Sequence, residues 1–349
     1  MILRTKEEWT SWRRPVLFWS AKYTGVCVFA VVCLLAMHNY GSSPFNTVIE
    51  RYKERIPWIS LKSISVESDR ASVEQKKYVG LHLNTGRLGN QLFHLVSGYG
   101  IARTIDRIHY LPFENRRAHV EKYLTYLGNV FPLLNRTYVL AKKGTKQRNI
   151  KFARKFDSYA NPSRLKNFTD QYLLLDFFYA QNVRYFENYV AELRAILHFS
   201  EEMKSNGSII TRSLQSHSDS MCLHVRTTDF INFHWATDVN KTVKAVNALA
   251  KKKNMSSFIL FGDDQQVMIN MSQVIIRDGG WKNDAVIVSD YQEAMDLYLS
   301  SQMCRSFLIS ATMSTFGWWL AFFAKDQSAV YYLNVTLPIA YKHRSDYFM

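Results

Sequence analysis

Residues 221–264 read MCLHVRTTDFINFHWATDVNKTVKAVNALAKKKNMSSFILFGDD. Met221 to Val225 is a short apolar run, long enough for a buried strand. From Asp238 to Ala250, the apolar residues Val239, Val243, Val246, Leu249 and Ala250 share one face of a helix. Ser257 to Phe261 is a second apolar run. Strand, helix and strand, with strands that are apolar throughout rather than alternating, predict a parallel sheet covered by helices on both faces.

Outward from this unit the same rhythm continues. Strands are expected at 285–288, 307–310 and 329–333, with helices over 292–303 and 316–324. Near the start of the globular part, Tyr78 to Leu83 predicts a strand that Asn84-Thr85-Gly86 breaks. A helix then runs from Leu88 to Ala102. The intervening residues 113–200 are rich in aromatics, most distinctively Leu175-Asp176-Phe177-Phe178-Tyr179-Ala180-Gln181 followed by Tyr185-Phe186. The fold class is α/β, and ligands of such sheets bind beyond the carboxyl ends of the strands.

Four motifs stand at those ends. Gly86-Arg87-Leu88-Gly89-Asn90-Gln91 places two glycines between a strand and a helix, where backbone N–H groups approach an anion. It lacks the Gly-Lys-Ser/Thr ending of a nucleotide-binding P-loop and the glycine spacing of a dinucleotide fold. Asn90 and Gln91 are candidate donors to sugar hydroxyls or phosphate. In His224-Val225-Arg226-Thr227-Thr228-Asp229, alternation puts His224 and Arg226 on one face. A guanidinium there matches phosphate oxygens, and a structural Arg–Asp pair is the competing reading. Phe261-Gly262-Asp263-Asp264 offers paired carboxylates to ribose, to guanine or to a metal, or simply a solvated turn. No Asp-x-Asp metal triplet occurs, and no metal site is expected. In Ser314-Thr315-Phe316-Gly317-Trp318-Trp319 the hydroxyls cap a helix whose N-terminus suits a phosphate, and the tryptophans suit helix-to-sheet packing.

The order and combination of these motifs resemble glycosyltransferase family 11, the inverting alpha-1,2-fucosyltransferases, over about residues 78–340. The resemblance implies a two-domain B-type fold, with an N-terminal catalytic half over 78–200 and a Rossmann-like, GDP-fucose-binding half over 201–349. It implies that Arg226 holds the β-phosphate, with Asp229 and His224 beside it as catalytic candidates. It implies Asn90, Ser314 and Thr315 around the donor, and Gly86, Arg87, Gln91, Asp263, Asp264 and Phe316 join them as donor-site candidates from the motifs themselves. The activity implied is transfer of L-fucose from GDP-fucose to a terminal galactose of a glycan, with inversion and without an essential metal or cofactor. One departure stands out: the family's second Arg of His-x-Arg-Arg is Thr227 here. Losing one preorganised donor costs on the order of a hundredfold in rate. A catalytically weak or inactive lumenal paralogue is therefore the alternative. The glycine that the family places before Tyr179 is also replaced, by Phe177 or Phe178.

The 349 residues, 47% hydrophobic and 14% aromatic, exclude bulk disorder. A net charge of +15 fits nucleic acid, an anionic membrane or an anionic substrate. Val16 to Met37 form an apolar run with only Lys22 charged, and Arg4, Lys6, Arg13 and Arg14 precede it. That pattern predicts a single-pass signal anchor over 16–37, a cytoplasmic tail over 1–15, a stem over 38–77 and a lumenal remainder, as in a type II Golgi membrane protein. Asn135, Asn167, Asn206, Asn240, Asn254, Asn270 and Asn334 head glycosylation triplets, all beyond the anchor. Together they argue against a nucleic-acid partner. The lumenal cysteines Cys222 and Cys304 read as a disulfide or, preferred, as two buried free thiols in neighbouring strands.

Overall fold

The computed structural model describes residues 76–153, 155 and 157–333. The expected anchor, nearly all of the stem, Asn334 and the C-terminal tail lie outside them. No helix among the described residues is long and apolar enough to cross a membrane.

The first half builds β1 (Tyr78–Leu81), α1 (Leu88–Thr104), β2 (Ile108–Leu111), α2 (Arg117–Val130), β3 (Val139–Leu140), β4 (Arg148–Lys151) and β5 (Tyr172–Asp176). Every strand pair is parallel, in the order β3-β2-β1-β5-β4. Two helices, α3 (Val190–Ile196) and α4 (Glu201–Ser213), lead onward. The second half alternates strictly: β6 (Ser220–Val225), α5 (Val239–Lys252), β7 (Phe258–Gly262), α6 (Gln265–Gly279), β8 (Val286–Val288), α7 (Glu293–Met303), β9 (Cys304–Ile309), α8 (Thr315–Phe323) and β10 (Val330–Tyr332). Its sheet is again wholly parallel, in the order β10-β9-β6-β7-β8.

Local sequence explains the elements. All six residues of β6 are buried, which is why it carries no polar alternation. The α5 face predicted from periodicity buries Val243, Val246 and Ala250, and the Asp238 carboxylate caps it by accepting from Lys241 N. In α1 the spacing is tighter than the sequence alone suggests. A Cβ at Gly98 would stand 2.2 Å from the His109 ring, and one at Gly100 would stand 2.1 Å from the Tyr185 carbonyl oxygen. The helix therefore lies against β2 and the following chain at backbone distance.

The cysteines differ from the preferred expectation. Cys222 on β6 and Cys304 at the head of β9 form a disulfide, their Cα atoms 5.5 Å apart. The free-thiol reading failed because β9 crosses back to pair with β6, which brings the two residues together across adjacent strands.

Topology also fixes where a ligand belongs. In the second sheet the chain runs from β6 outward through β7 to β8, then returns to the other side of β6 with β9 and β10. The strand order reverses between β6 and β9. In the first sheet it reverses between β1 and β5. At such points the loops beyond the strand ends part and leave a crevice.

Candidate functional site

A cleft of about 440 Å³ lies at these two switch points. Gly86 and Asn90 reach it from beyond β1, Gln181 from beyond β5, Arg226 from beyond β6, and Ser314 from beyond β9. Residues from both halves of the sequence therefore share one concavity.

The loop after β1 is organised from within. The Asn84 side chain accepts from Gly86 N at 2.9 Å and donates to the Phe178 carbonyl at 3.1 Å. Gln91 is fully buried, and its Nε2 donates to Asn84 O, Asn84 Oδ1 and Gly86 O. The structure therefore uses Gln91, expected at the donor, to hold the loop. A Cβ on Gly86 would stand 2.4 Å from the Asn90 Cβ, so glycine is required there. Asn90 itself bridges the halves: its Oδ1 accepts from Gln181 Nε2 and from Thr315 Oγ1, each at 2.8 Å. Among the described residues its Nδ2 makes no hydrogen bond, which leaves it as a donor at the cleft.

Arg226 sits at the carboxyl end of β6 and is 8% exposed. Its Nη2 donates to Asp229 Oδ1 at 2.7 Å, and its Nε lies 3.1 Å from Asp263 Oδ2 without hydrogen-bond alignment. Arg87 Nη2, from the first half, donates to the other Asp229 oxygen at 3.2 Å. Asp229 thus aligns two guanidinium groups on the cleft wall. Asp263 accepts from Thr227 N at 3.0 Å and from the Thr228 hydroxyl, so it ties the β6 loop to the end of β7. Asp264 caps α6 by accepting from Val267 N at 3.0 Å. The two carboxylates expected to face ribose or guanine are both spent on the protein. The Thr227 side chain is also buried, outside the cleft wall.

His224 lies away from the cleft. It is buried beneath α8, and a Cβ on Gly317 would come within 2.7 Å of its Nδ1. Burial lowers its pKa to about 4, against the smaller opposing effect of Asp263, so the ring is neutral near pH 7. Its place under the helix that carries Ser314 gives it a packing role instead of the catalytic one expected.

Ser314 caps α8, its Oγ accepting from Gly317 N at 3.2 Å. Thr315 and Phe316, whose first-turn N–H groups have no partner within the helix ladder, line the cleft. Trp318 and Trp319 are buried, and Trp319 Nε1 donates to the Gly89 carbonyl at 3.0 Å, so the pair does pack the fold, but it seats α8 on the helix α1 where the sequence suggested a sheet.

Two sets of residues at the cleft went unread. Glu293, the first residue of α7, opens onto it. Loss of surrounding water raises its carboxyl above the usual range, with the Arg87 charge opposing. A carboxylate in the first turn of the helix that follows β8 was the available signal. Phe230, Phe233 and Trp235 line the outer part, and their crowding in a loop just after Asp229 was visible in the sequence.

A family model described as glycosyl transferase family 11 matches residues 55–347. A putative galactoside 2-alpha-L-fucosyltransferase of Caenorhabditis elegans, svh-11, is 29% identical over 269 residues, covering 74% of this chain and 72% of that protein. A putative glycosyltransferase of the same organism, C06E1.7, is 30% identical over 285 residues, covering 74% and 73%. Among solved structures, POFUT1 in complex with GDP-fucose aligns at a TM-score of 0.49 with 9% identity, covering 74% of this chain and 99% of that one.

Proposed function

This chain belongs to glycosyltransferase family 11 and is a glycosyltransferase, and from that premise we propose that it transfers L-fucose from GDP-fucose to a terminal galactose, in alpha-1,2 linkage with inversion. One observation carries the reading. Arg226, aligned by Asp229, and the capped N-terminus of α8 face one cleft at the sheet's switch point. That arrangement is a receptor for a nucleoside diphosphate.

The chemistry follows from the geometry. As the bond from fucose to phosphate lengthens, negative charge grows on the departing diphosphate. The Arg226 guanidinium and the first-turn N–H groups of α8 are already oriented to receive it, so little reorganisation is needed. Asn90 Nδ2 is available to the sugar or its phosphate. Positive charge develops at the fucosyl carbon. The acceptor hydroxyl adds on the face opposite the leaving group and gives its proton to Glu293, whose raised carboxyl affinity for protons suits a base. These fixed cations and dipoles take the place of a metal ion, and added chelator should leave the rate unchanged.

The names of the relatives support the galactose acceptor and the linkage. The basic flank, apolar run and downstream sequons support a type II, Golgi-resident, lumenal enzyme. The test incubates the full chain in detergent with labelled GDP-fucose and a panel of terminal-galactose acceptors. The expected product is an alpha-1,2-fucosylated galactoside, with Arg226→Ala slower by about a hundredfold or more. A wild type that uses only another nucleotide sugar refutes the assignment. Thr227 favours a second reading, a weak or inactive paralogue, which GDP binding without transfer would support.

A further inference from the structure

The loop leaving β6 carries three rings for which the phosphate chemistry has no use. The Arg226 guanidinium lies 5.0 Å over the Phe230 ring. Phe230 meets Trp235 edge-on at 6.0 Å, and Trp235 stacks on Phe233 at 5.1 Å with 25° between planes. The rings form a file from the buried guanidinium outward, and Phe233 at its end is 57% exposed. The file is held by its backbone. Trp235 N donates to Phe230 O at 3.0 Å, and His234 N donates to Ile231 O at 3.1 Å. His234 takes φ of 56°, a left-handed conformation uncommon for a residue with a side chain. An aromatic surface fixed in place and left facing water at a cleft mouth is a surface for a ligand.

We propose that Phe233 and Trp235 are the platform for the acceptor's sugar ring, an inference that rests on the fucosyl-transfer reading. The donor's diphosphate belongs at the deep end, where Arg226 and Ser314 are nearly buried. The outer, exposed end is what an incoming glycan meets first. A galactopyranose carries its axial hydroxyl on one face and C–H groups on the other. Laid C–H face down, it covers aromatic surface while its hydroxyls stay free to hydrogen-bond toward Glu293 and Gln181. A flat nucleobase is the rival occupant, and the experiment separates the two.

Acceptor KM and GDP affinity are measured on the full chain for wild type, Phe233→Ala and Phe233→Trp. The expected result is an acceptor KM raised about tenfold in the alanine variant, the loss of roughly one ring contact. The tryptophan variant should stay near wild type, and GDP affinity should be equal in all three. Unchanged GDP affinity also shows that the alanine variant is folded. An unaltered acceptor KM overturns the platform, and so does weakened GDP binding, which would assign the ring to the base. Wild-type transfer is measured first: if it is absent, both readings fall, and if it is present with unaltered KM in the variant, only the platform does.

Discussion

Glu293 and Asp296 stand three residues apart on α7, and their surroundings give them different work. Glu293 opens on the cleft, while Asp296 is buried and takes a hydrogen bond from Ser289. If Glu293 receives the acceptor's proton, Glu293→Gln should lower transfer by about 10²–10⁴-fold while GDP still binds. Because its carboxyl is raised, the wild-type rate should climb with pH along a limb displaced above the ordinary carboxylate range, and that limb should vanish in the glutamine variant. A variant that keeps both rate and limb removes Glu293 from the chemistry. Asp296 bears on stability. Burial raises its pKa from 3.8 to about 7, so the fold favours its protonated form. That contribution is full below pH 3.8 and is lost as pH rises toward 7. Thermal melts of Asp296→Asn should therefore gain on wild type progressively over that interval, and a constant difference would show that the fold leaves this carboxyl's proton affinity unshifted. The buried imidazoles act in the opposite sense. His94 and His224, lowered to about 4, and His109, lowered to about 3, must stay neutral, so acid below pH 6.5 weakens the fold through them.

At the scale of elements, the prediction that belongs to α1 concerns Gly100. Its missing Cβ leaves room for the Tyr185 carbonyl, which is backbone and cannot rotate away. Gly100→Ala should cost about 1–3 kcal/mol or more, read as a lower denaturant midpoint at unchanged slope. A neutral substitution would mean that the following chain yields. This contact was not legible beforehand, because Tyr185 comes to α1 only through the fold. The second sheet was legible for a physical reason: buried parallel strands are apolar throughout, and β6, β7 and β9 announce themselves. The edge strands β3 and β4 do not, since Val139, Leu140, Arg148 and Asn149 are exposed. Helix α6 keeps a helical period at Met268, Met271 and Ile275, but its cap, Asp264, is one of a carboxylate pair that in sequence resembles a ligand site as much as a helix start. The site shows the same division. Turn chemistry revealed Gly86, Arg226 and Ser314, each at a strand end. Burial decided His224 and Gln91, and hydrogen bonds to Thr227 and Thr228 decided Asp263; both depend on partners distant in sequence, which a motif does not record.

For the molecule as a whole, the disulfide and the sequons bear on the same question of compartment. The six described sequon asparagines, Asn135, Asn167, Asn206, Asn240, Asn254 and Asn270, are all exposed. Cys222–Cys304 closes a loop of 82 residues across the central strands of the sheet that carries Arg226. A cross-link over that span removes loop-closure entropy worth about 4.5 kcal/mol from the unfolded chain, and native disulfides typically contribute about 2–4 kcal/mol. Domain stability is itself only about 5–15 kcal/mol, so the bond is a large fraction of it. It also ties β6 to β9, the two strands whose ends present Arg226 and Ser314 to the cleft. Loss of the bond should therefore reach the active site as well as the melting curve. Chain made in a secretory system should carry glycans removable by endoglycosidase and no free lumenal thiol. Chain made in a reducing cytosol, or carrying Cys304→Ser, should melt earlier and lose transfer activity on mild warming that the oxidised form withstands. Equal melting of oxidised and reduced chain, with the sequons bare after secretory expression, would remove the case for the lumen and leave the basic flank and apolar run at 16–37 to be explained another way.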